Sequence, residues 1–136
     1  MEDSIAMNGY NPNWDIDLKF GEDGENWILL LGSDKSKIEV KTERDDWART
    51  GNIAIEFQFR GNPSGIAKTT ADWWIHLLAF GGEVKAAFVL PVPALRQFVF
   101  VNAINRQFKI VTGGDNKDSD LILVPIEMIH HITKTK

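Results

Sequence analysis

Two stretches alternate apolar and polar residues with period two, "KIEVKTE" at 37–43 and "NIAIEFQFR" at 52–60. In the first, Ile38 and Val40 alternate with Glu39, Lys41 and Glu43. In the second, Ile53, Ile55, Phe57 and Phe59 alternate with Asn52, Ala54, Glu56, Gln58 and Arg60. Successive side chains of a strand point to opposite faces, so this period predicts two half-buried strands. The link between them, "RDDWARTG", contains Gly51 and suits an irregular hairpin. Symmetry about that link sets Glu39 opposite Glu56, and directly opposed residues share a face. The expectation is a hairpin with Ile38, Val40, Ile55 and Phe57 toward the core. Glu39, Lys41, Glu56 and Gln58 would then share the other face.

The remaining chain supplies elements to cover such a sheet. Residues 1–19, rich in Asn and Asp, read as a partly irregular arm, and residues 20–136 as one domain. In "GEDGENWILLLG", Gly24, Trp27, Ile28 and Leu31 fall on one stripe of a short helix stopped by Gly32. "GNPSGIAKTTADW" is a loop ending in a helical turn, with Thr69 as N-cap and Asp72 three residues on. "WIHLLAFGGEVKAAFVLP" reads as a second hairpin turned at Gly81-Gly82. Its first strand is apolar on both faces, as a central strand would be. Pro93 opens a helix with Leu95, Phe98 and Val99 on one stripe. "QFKIV", a surface loop "TGGDNKDSD", "LILV" and a short helix in "PIEMIHHI" close the chain. The order predicts an α+β or mixed α/β domain with one sheet flanked by helices.

Composition narrows the function classes. At 136 residues the chain fits one domain, and 43% hydrophobic residues suffice for a single core. The net charge of −4 gives no global basic surface, so any polyanion site must be a local patch. With no cysteine, disulfides and thiolate zinc sites are excluded, which fits a reducing, cytoplasmic setting. "MEDSIAMNGYNPNWD" lacks an apolar stretch, so no signal peptide is expected. No run reaches the roughly 18 apolar residues of a membrane span.

The polar face of the expected hairpin admits two readings. Alternating charges on a half-buried strand are commonly just its solvated side, with Glu39 and Lys41 as salt-bridge material. The same face also concentrates two acids, a lysine and an amide within a few strand positions. Two carboxylates can hold Mg²⁺, which keeps several waters and binds phosphate as well. A lysine beside them could orient the attacking water or neutralise charge on the phosphate.

At these residues the chain resembles a known superfamily. "IEVK" on a strand after a short helix looks like the Glu-x-Lys signature of the PD-(D/E)xK, or restriction-endonuclease-like, nucleases. The longer stretch "IEVKTERDDWARTGNIAIEFQFRGNPSGIAKTTADWW" is similar to small phage-type members. The matching residues are Glu39, Val40, Lys41, Trp47, Thr50, Gly51, Asn52, Glu56, Gly61, Pro63, Ser64, Gly65, Ile66, Thr69, Ala71, Asp72 and Trp73. The resemblance is strongest over 37–74 and looser over the first helix and "AAFVLPVPALRQF".

It implies a restriction-endonuclease-like mixed sheet flanked by helices and a Mg²⁺-dependent DNA endonuclease, of phage or mobile-element origin. Mn²⁺ would be a substitute metal. The superfamily usually places an Asp about ten or more residues before Glu-x-Lys. Here Asp34 stands only five residues before Glu39. Either Glu56 is the second ligand, with Glu56-Phe57-Gln58 a variant of the signature and Lys41 reaching from the neighbouring strand, or the site is incomplete. Members that carry a helix glutamate near the metal match Glu25 here, with Glu22 second. Glu39, Lys41, Glu56 and Gln58 are thus the catalytic candidates, and Glu39, Glu56 and Glu25 the metal ligands.

Arg44, Arg49, Arg60 and Lys68 form a basic concentration around the hairpin, and Ser64 and Gly65 could present amides to a DNA phosphate. A chain this small suits a homodimer delivering two cuts. The rival is a non-catalytic accessory domain that keeps the fold and binds DNA or a protein. A purely structural module would leave Glu39, Lys41 and Glu56 without a purpose. His76, Trp73 and Trp74 read as core residues. His130 and His131 lack a partner at zinc spacing, and "GGDNKDSD" lacks the closing glutamate of a calcium loop.

Overall fold

The computed structural model describes residues 36–114 and 116–132. The arm at 1–19, the helix expected over 21–32, and Glu22, Glu25 and Asp34 lie outside the described residues. Elements follow as β1 (Ile38–Arg44), α1 (Asp46–Thr50), β2 (Asn52–Phe59), β3 (Asn62–Pro63), β4 (Trp73–Phe80) and β5 (Glu83–Pro91). Then come α2 (Val92–Ile104), β6 (Lys109–Gly113) and β7 (Ser119–Pro125). Short 3-10 helices cover Gly65–Ala67 and Ile126–His131. The class is mixed α and β, as expected.

The strands divide into two ladders rather than one sheet. One has the order β1-β4-β5 and the other β3-β2-β7-β6. β4 is central in its ladder, as its two-sided apolar sequence predicts. It turns into β5 through Gly81 and Gly82, whose φ values of 60° and 83° suit glycine. Ile53 and Ile55 of β2, Trp74 and Leu78 of β4, Leu95 and Val99 of α2, and Ile122 and Val124 of β7 meet in one core. Proline near the start of α2, whose fixed φ suits a first helical turn, opens that helix as read.

The first hairpin does not form. β1 pairs in parallel with β4, Glu39 beside Trp74 and Lys41 beside His76, while β2 pairs with β7 and β3. The reason lies in the link. Asp45 donates its N–H to the Ala79 carbonyl, and the Trp47 indole donates to the same oxygen at 2.7 Å. The Asp45 carboxylate in turn accepts from the Gly81 N–H. Residues 45–51 are thereby spent on a helical turn bound to the β4–β5 hairpin.

Register is fixed at the other end of β1. Asp72 N–H and Trp73 N–H both donate to the Lys37 carbonyl, and the Asp72 carboxylate accepts the Lys37 N–H at 2.9 Å. Asp72 therefore closes a clamp instead of a capping box, and no helical turn follows Thr69. A slip of one residue would exchange the faces of β1, so this clamp decides which side of the strand turns inward.

The outcome reverses the expected faces of β1. Ile38 and Val40 are 42% and 53% exposed, while Glu39, Lys41 and Glu43 are half-buried. β2 keeps the expected parity, with Ile53 and Ile55 fully buried. The inward polar set of β1 shares the face of Trp74, His76 and Leu78. Strand alternation sends Glu56 to the side of β2 opposite Ile53 and Ile55. The shared face expected for Glu39 and Glu56 is therefore not what forms.

Candidate functional site

Glu39 and Lys41 remain neighbours on one face, two positions apart on β1. The Lys41 ammonium lies 3.4 Å from Glu39 Oε2 and 5.9 Å from the centre of the Trp74 ring. The other carboxylate oxygen, Glu39 Oε1, accepts from the Thr69 hydroxyl at 3.1 Å. That hydroxyl also accepts the Ala71 N–H, so Thr69 is oriented from both sides. The Glu39 and Lys41 side chains are 36% and 43% exposed, open enough for a ligand to reach.

Thr69 is held by α2. The Arg96 guanidinium donates through Nε to the Ile66 carbonyl and through Nη2 to the Thr69 carbonyl, at 2.9 and 2.7 Å. The fork geometry of arginine suits this double contact, which a lysine could not reproduce. The loop is pressed on the other side against β2. Gly65, at φ 50°, packs so closely that a Cβ there would collide with the Glu56 carbonyl. Ser64 donates its N–H to the Phe57 carbonyl, and its buried hydroxyl finds no partner among the described residues. Ser64 and Gly65 thus brace the loop against β2.

The other candidates scatter. The Glu56 carboxylate makes no hydrogen bond or ion pair among the described residues, on a half-buried position. A bulge between Glu56 and Gln58 redirects the amide, whose Nε2 donates to Asp120 Oδ2 on β7. Gln58 is not brought to Glu39 and Lys41. Arg49 pairs with Asp46, and Arg60 pairs with Asp118 at 3.1 Å. They stand beyond opposite ends of the eight-residue β2, a span of about 23 Å at the usual strand rise. One basic patch is therefore not formed by that pair. Arg44 is exposed and lines a shallow cleft of about 440 Å³ with Thr42, Asp45, Ala79, Gly82 and Val84. Lys68 is exposed beside the Gly65–Ala67 turn.

Two groups escaped the sequence reading as parts of this site: Glu43 and Arg96. Glu43 has the parity of Glu39 and Lys41, so alternation alone placed it on their face. Its Oε1 accepts from His76 Nε2 at 2.8 Å and from the Ala54 N–H of β2 at 3.1 Å. His76, 1% exposed, also receives the Trp74 indole N–H on Nδ1 at 3.1 Å. It is a satisfied core histidine, and Trp73 and Trp74 are buried, as read from the sequence. Nothing in the sequence marks Arg96, because its partners are backbone carbonyls.

Among the described residues, no three of His, Asp or Glu converge in a way that could hold a metal. None of their helices is long and apolar enough to cross a membrane. No protein-family model, curated protein or solved structure matches the chain.

Proposed function

We propose that the chain is a Mg²⁺-dependent endonuclease that hydrolyses DNA phosphodiesters, a phage or mobile-element protein of the restriction-endonuclease-like type. Its acting pair is Glu39 and Lys41. One observation carries the reading. β1 turns its charged residues inward and leaves Ile38 and Val40 exposed, the reverse of what a solvated salt-bridge face requires. Exposing apolar area forfeits roughly 25 cal/mol per Å², and in exchange Glu39 and Lys41 are held side by side on a face that a ligand can still reach.

The donor set suits a hard dication. A carboxylate offers about four lone-pair sites, and Glu39 spends one oxygen on Thr69 and the other on Lys41. Capacity remains on both oxygens. Mg²⁺ takes few protein ligands and keeps its waters, so Glu39 would hold it with waters filling the remaining positions. Glu56, half-buried and unpaired among the described residues, serves as a further carboxylate only if it reaches around the edge of β2. The metal would supply a water of lowered pKa and neutralise charge on the phosphoryl oxygens.

The chain's own residues do the rest. Thr69, braced by Arg96, holds the Glu39 carboxylate in one orientation. Lys41, steadied between Glu39 and the Trp74 ring, offers its ammonium to a non-bridging phosphate oxygen or to the attacking water. Arg44 and Lys68, whose side chains make no ion pair among the described residues, are free to contact the DNA backbone. A homodimer would place two such sites on one duplex.

The test is cleavage of duplex, branched and single-stranded DNA in Mg²⁺ and in Mn²⁺. Activity lost on Glu39→Gln and on Lys41→Ala, with the fold kept by circular dichroism, supports the reading. Wild-type protein that leaves all three substrates intact in both metals overturns it. The second reading, an accessory domain that binds DNA or a protein, is favoured by the pairing of β1 and β2 in separate ladders, which does not form the shared Glu39 and Glu56 face expected of the site. It expects salt-sensitive DNA binding without cleavage.

A further inference from the structure

We propose that Trp74, His76 and Glu43 form a relay that positions Lys41, with His76 fixed as the tautomer protonated on Nε2. The proposal rests on the nuclease reading for what Lys41 does, and on geometry alone for how Lys41 is held.

An indole N–H can only donate, so the Trp74 contact at 3.1 Å makes His76 Nδ1 an acceptor without a proton. The ring proton of neutral His76 must then sit on Nε2, where it donates to Glu43 Oε1 at 2.8 Å. Burial leaves the ring no alternative partner in solvent, since His76 and Trp74 are each 1% exposed. Their rings lie nearly in one plane, with 11° between them, the geometry that an indole N–H aimed at the in-plane lone pair of Nδ1 requires. Glu43 Oε1 takes a second hydrogen bond from the Ala54 N–H. The carboxylate is therefore held from β4 and from β2, although β1 pairs with β4 alone in these ladders.

Lys41 sits within this frame. It is two positions from Glu43 on the same face and directly beside His76 in the parallel register. Its ammonium faces the same Trp74 ring whose N–H sets the His76 tautomer. One indole thus performs two tasks, platform for the cation and donor that orients the histidine. Freeing Glu43 would let the end of β1 move away from β2, and Lys41 would leave its place over Trp74. Glu43 is a positioning residue here, not a catalytic one, because it acts through Lys41.

The experiment uses the full chain labelled with ¹⁵N and ¹³C, and the variants Glu43→Gln, Glu43→Ala and Trp74→Phe. Histidine ring spectra of wild type should show a protonated Nε2 and a bare Nδ1 for His76, and Trp74→Phe should mix the tautomers. The ring-current shift of the Lys41 methylene next to the ammonium should persist in Glu43→Gln, which keeps an acceptor oxygen, and vanish in Glu43→Ala. On a cleaved DNA substrate, Glu43→Ala should lower kcat at least roughly tenfold at little changed KM, as expected for a group acting only in turnover. Glu43→Gln should lose no more than about threefold.

A wild-type His76 carrying its proton on Nδ1 overturns the relay, as does a Lys41 shift that survives in Glu43→Ala. Should Glu43→Ala fail to fold, the wild-type His76 tautomer and its mixing in Trp74→Phe decide the matter alone. If wild type cuts no DNA, the nuclease reading fails, while the two spectra still confirm or refute the positioning of Lys41.

Discussion

β1 and β2 carry the same written pattern and bury opposite halves of it. In β2 Ile53 and Ile55 go inward and are fully buried, Phe57 is half-buried, and only Phe59, beyond the bulge, is exposed. In β1 the polar set Glu39, Lys41 and Glu43 goes inward, and Ile38 and Val40 are exposed. The difference teaches that period two specifies a strand and two faces without naming the inner one. For β2 the choice follows from the hydrophobic effect, because its apolar face meets Ile122 and Val124 of β7 in the core. For β1 the choice follows from hydrogen bonds: Thr69 for Glu39, and His76 with the Ala54 amide for Glu43. Paired polar groups can occupy a half-buried face that unpaired ones could not.

That contrast can be broken most forcefully at Ile55. Ile55→Ala should destabilise by about 2–5 kcal/mol, the usual cost of emptying a buried aliphatic site. Val40→Ala, the matching change on the outward face of β1, should cost less than about 1 kcal/mol, the span of strand propensity. Urea denaturation of both variants measures the gap. Comparable losses would show that Val40 is part of a core and that the two strands are alike after all.

The polar side of the comparison is sharpened by Glu43. Glu43→Ala leaves the His76 N–H and the Ala54 N–H without their acceptor, and each stranded buried donor costs about 1–3 kcal/mol. Glu43→Gln should recover most of the loss. A thermal scan of the two variants against wild type checks the order.

The loop between the strands gives an intermediate effect. Gly65→Ala forces a collision with the Glu56 carbonyl at φ 50°, with strain of about 1–3 kcal/mol. Gly51→Ala, at φ 76° with nothing within 4 Å, bears the backbone strain alone and should lose less in the same denaturation assay. Equal losses at the two glycines would mean that Gly65 is not braced against β2.

The smallest effect is expected at Arg49, whose side chain is 76% exposed and pairs with Asp46. Arg49→Ala should change stability by no more than about 0.5 kcal/mol, as exposed helix pairs do. Its effect on DNA binding should be modest beside that of Arg44→Ala, measured as the salt dependence of binding. A larger loss at Arg49 than at Arg44 would move the proposed DNA contact from the end of β1 to α1.

Much of the architecture was legible beforehand. The Gly81-Gly82 turn, the central β4, the helix opened near Pro93 and the two buried tryptophans all follow from local rules of turn chemistry and periodicity. Of the site, Glu39 and Lys41 were legible as a same-face pair, since residues two apart on a strand cannot separate. The partner strand was not legible. Whether "RDDWARTG" closes a hairpin or folds into α1 depends on the Ala79 carbonyl and the Gly81 N–H, about 30 residues away. Gln58 was misplaced for a related reason, because one extra residue in a bulge, decided by pairing with β7, shifts everything after it.

The sequence by itself determined where the long strands, the Gly81-Gly82 turn and the helix after Pro93 lie, and which residues of an unbulged strand share a face, because backbone geometry imposes those periods wherever the chain goes. Only the tertiary structure decided that β1 joins β4 in parallel, that its charged face turns inward, and that Glu43, His76 and Trp74 stand around Lys41. Those outcomes depend on hydrogen bonds between residues distant in the chain, such as Asp72 to the Lys37 amide, and a one-residue change in that register would have inverted them.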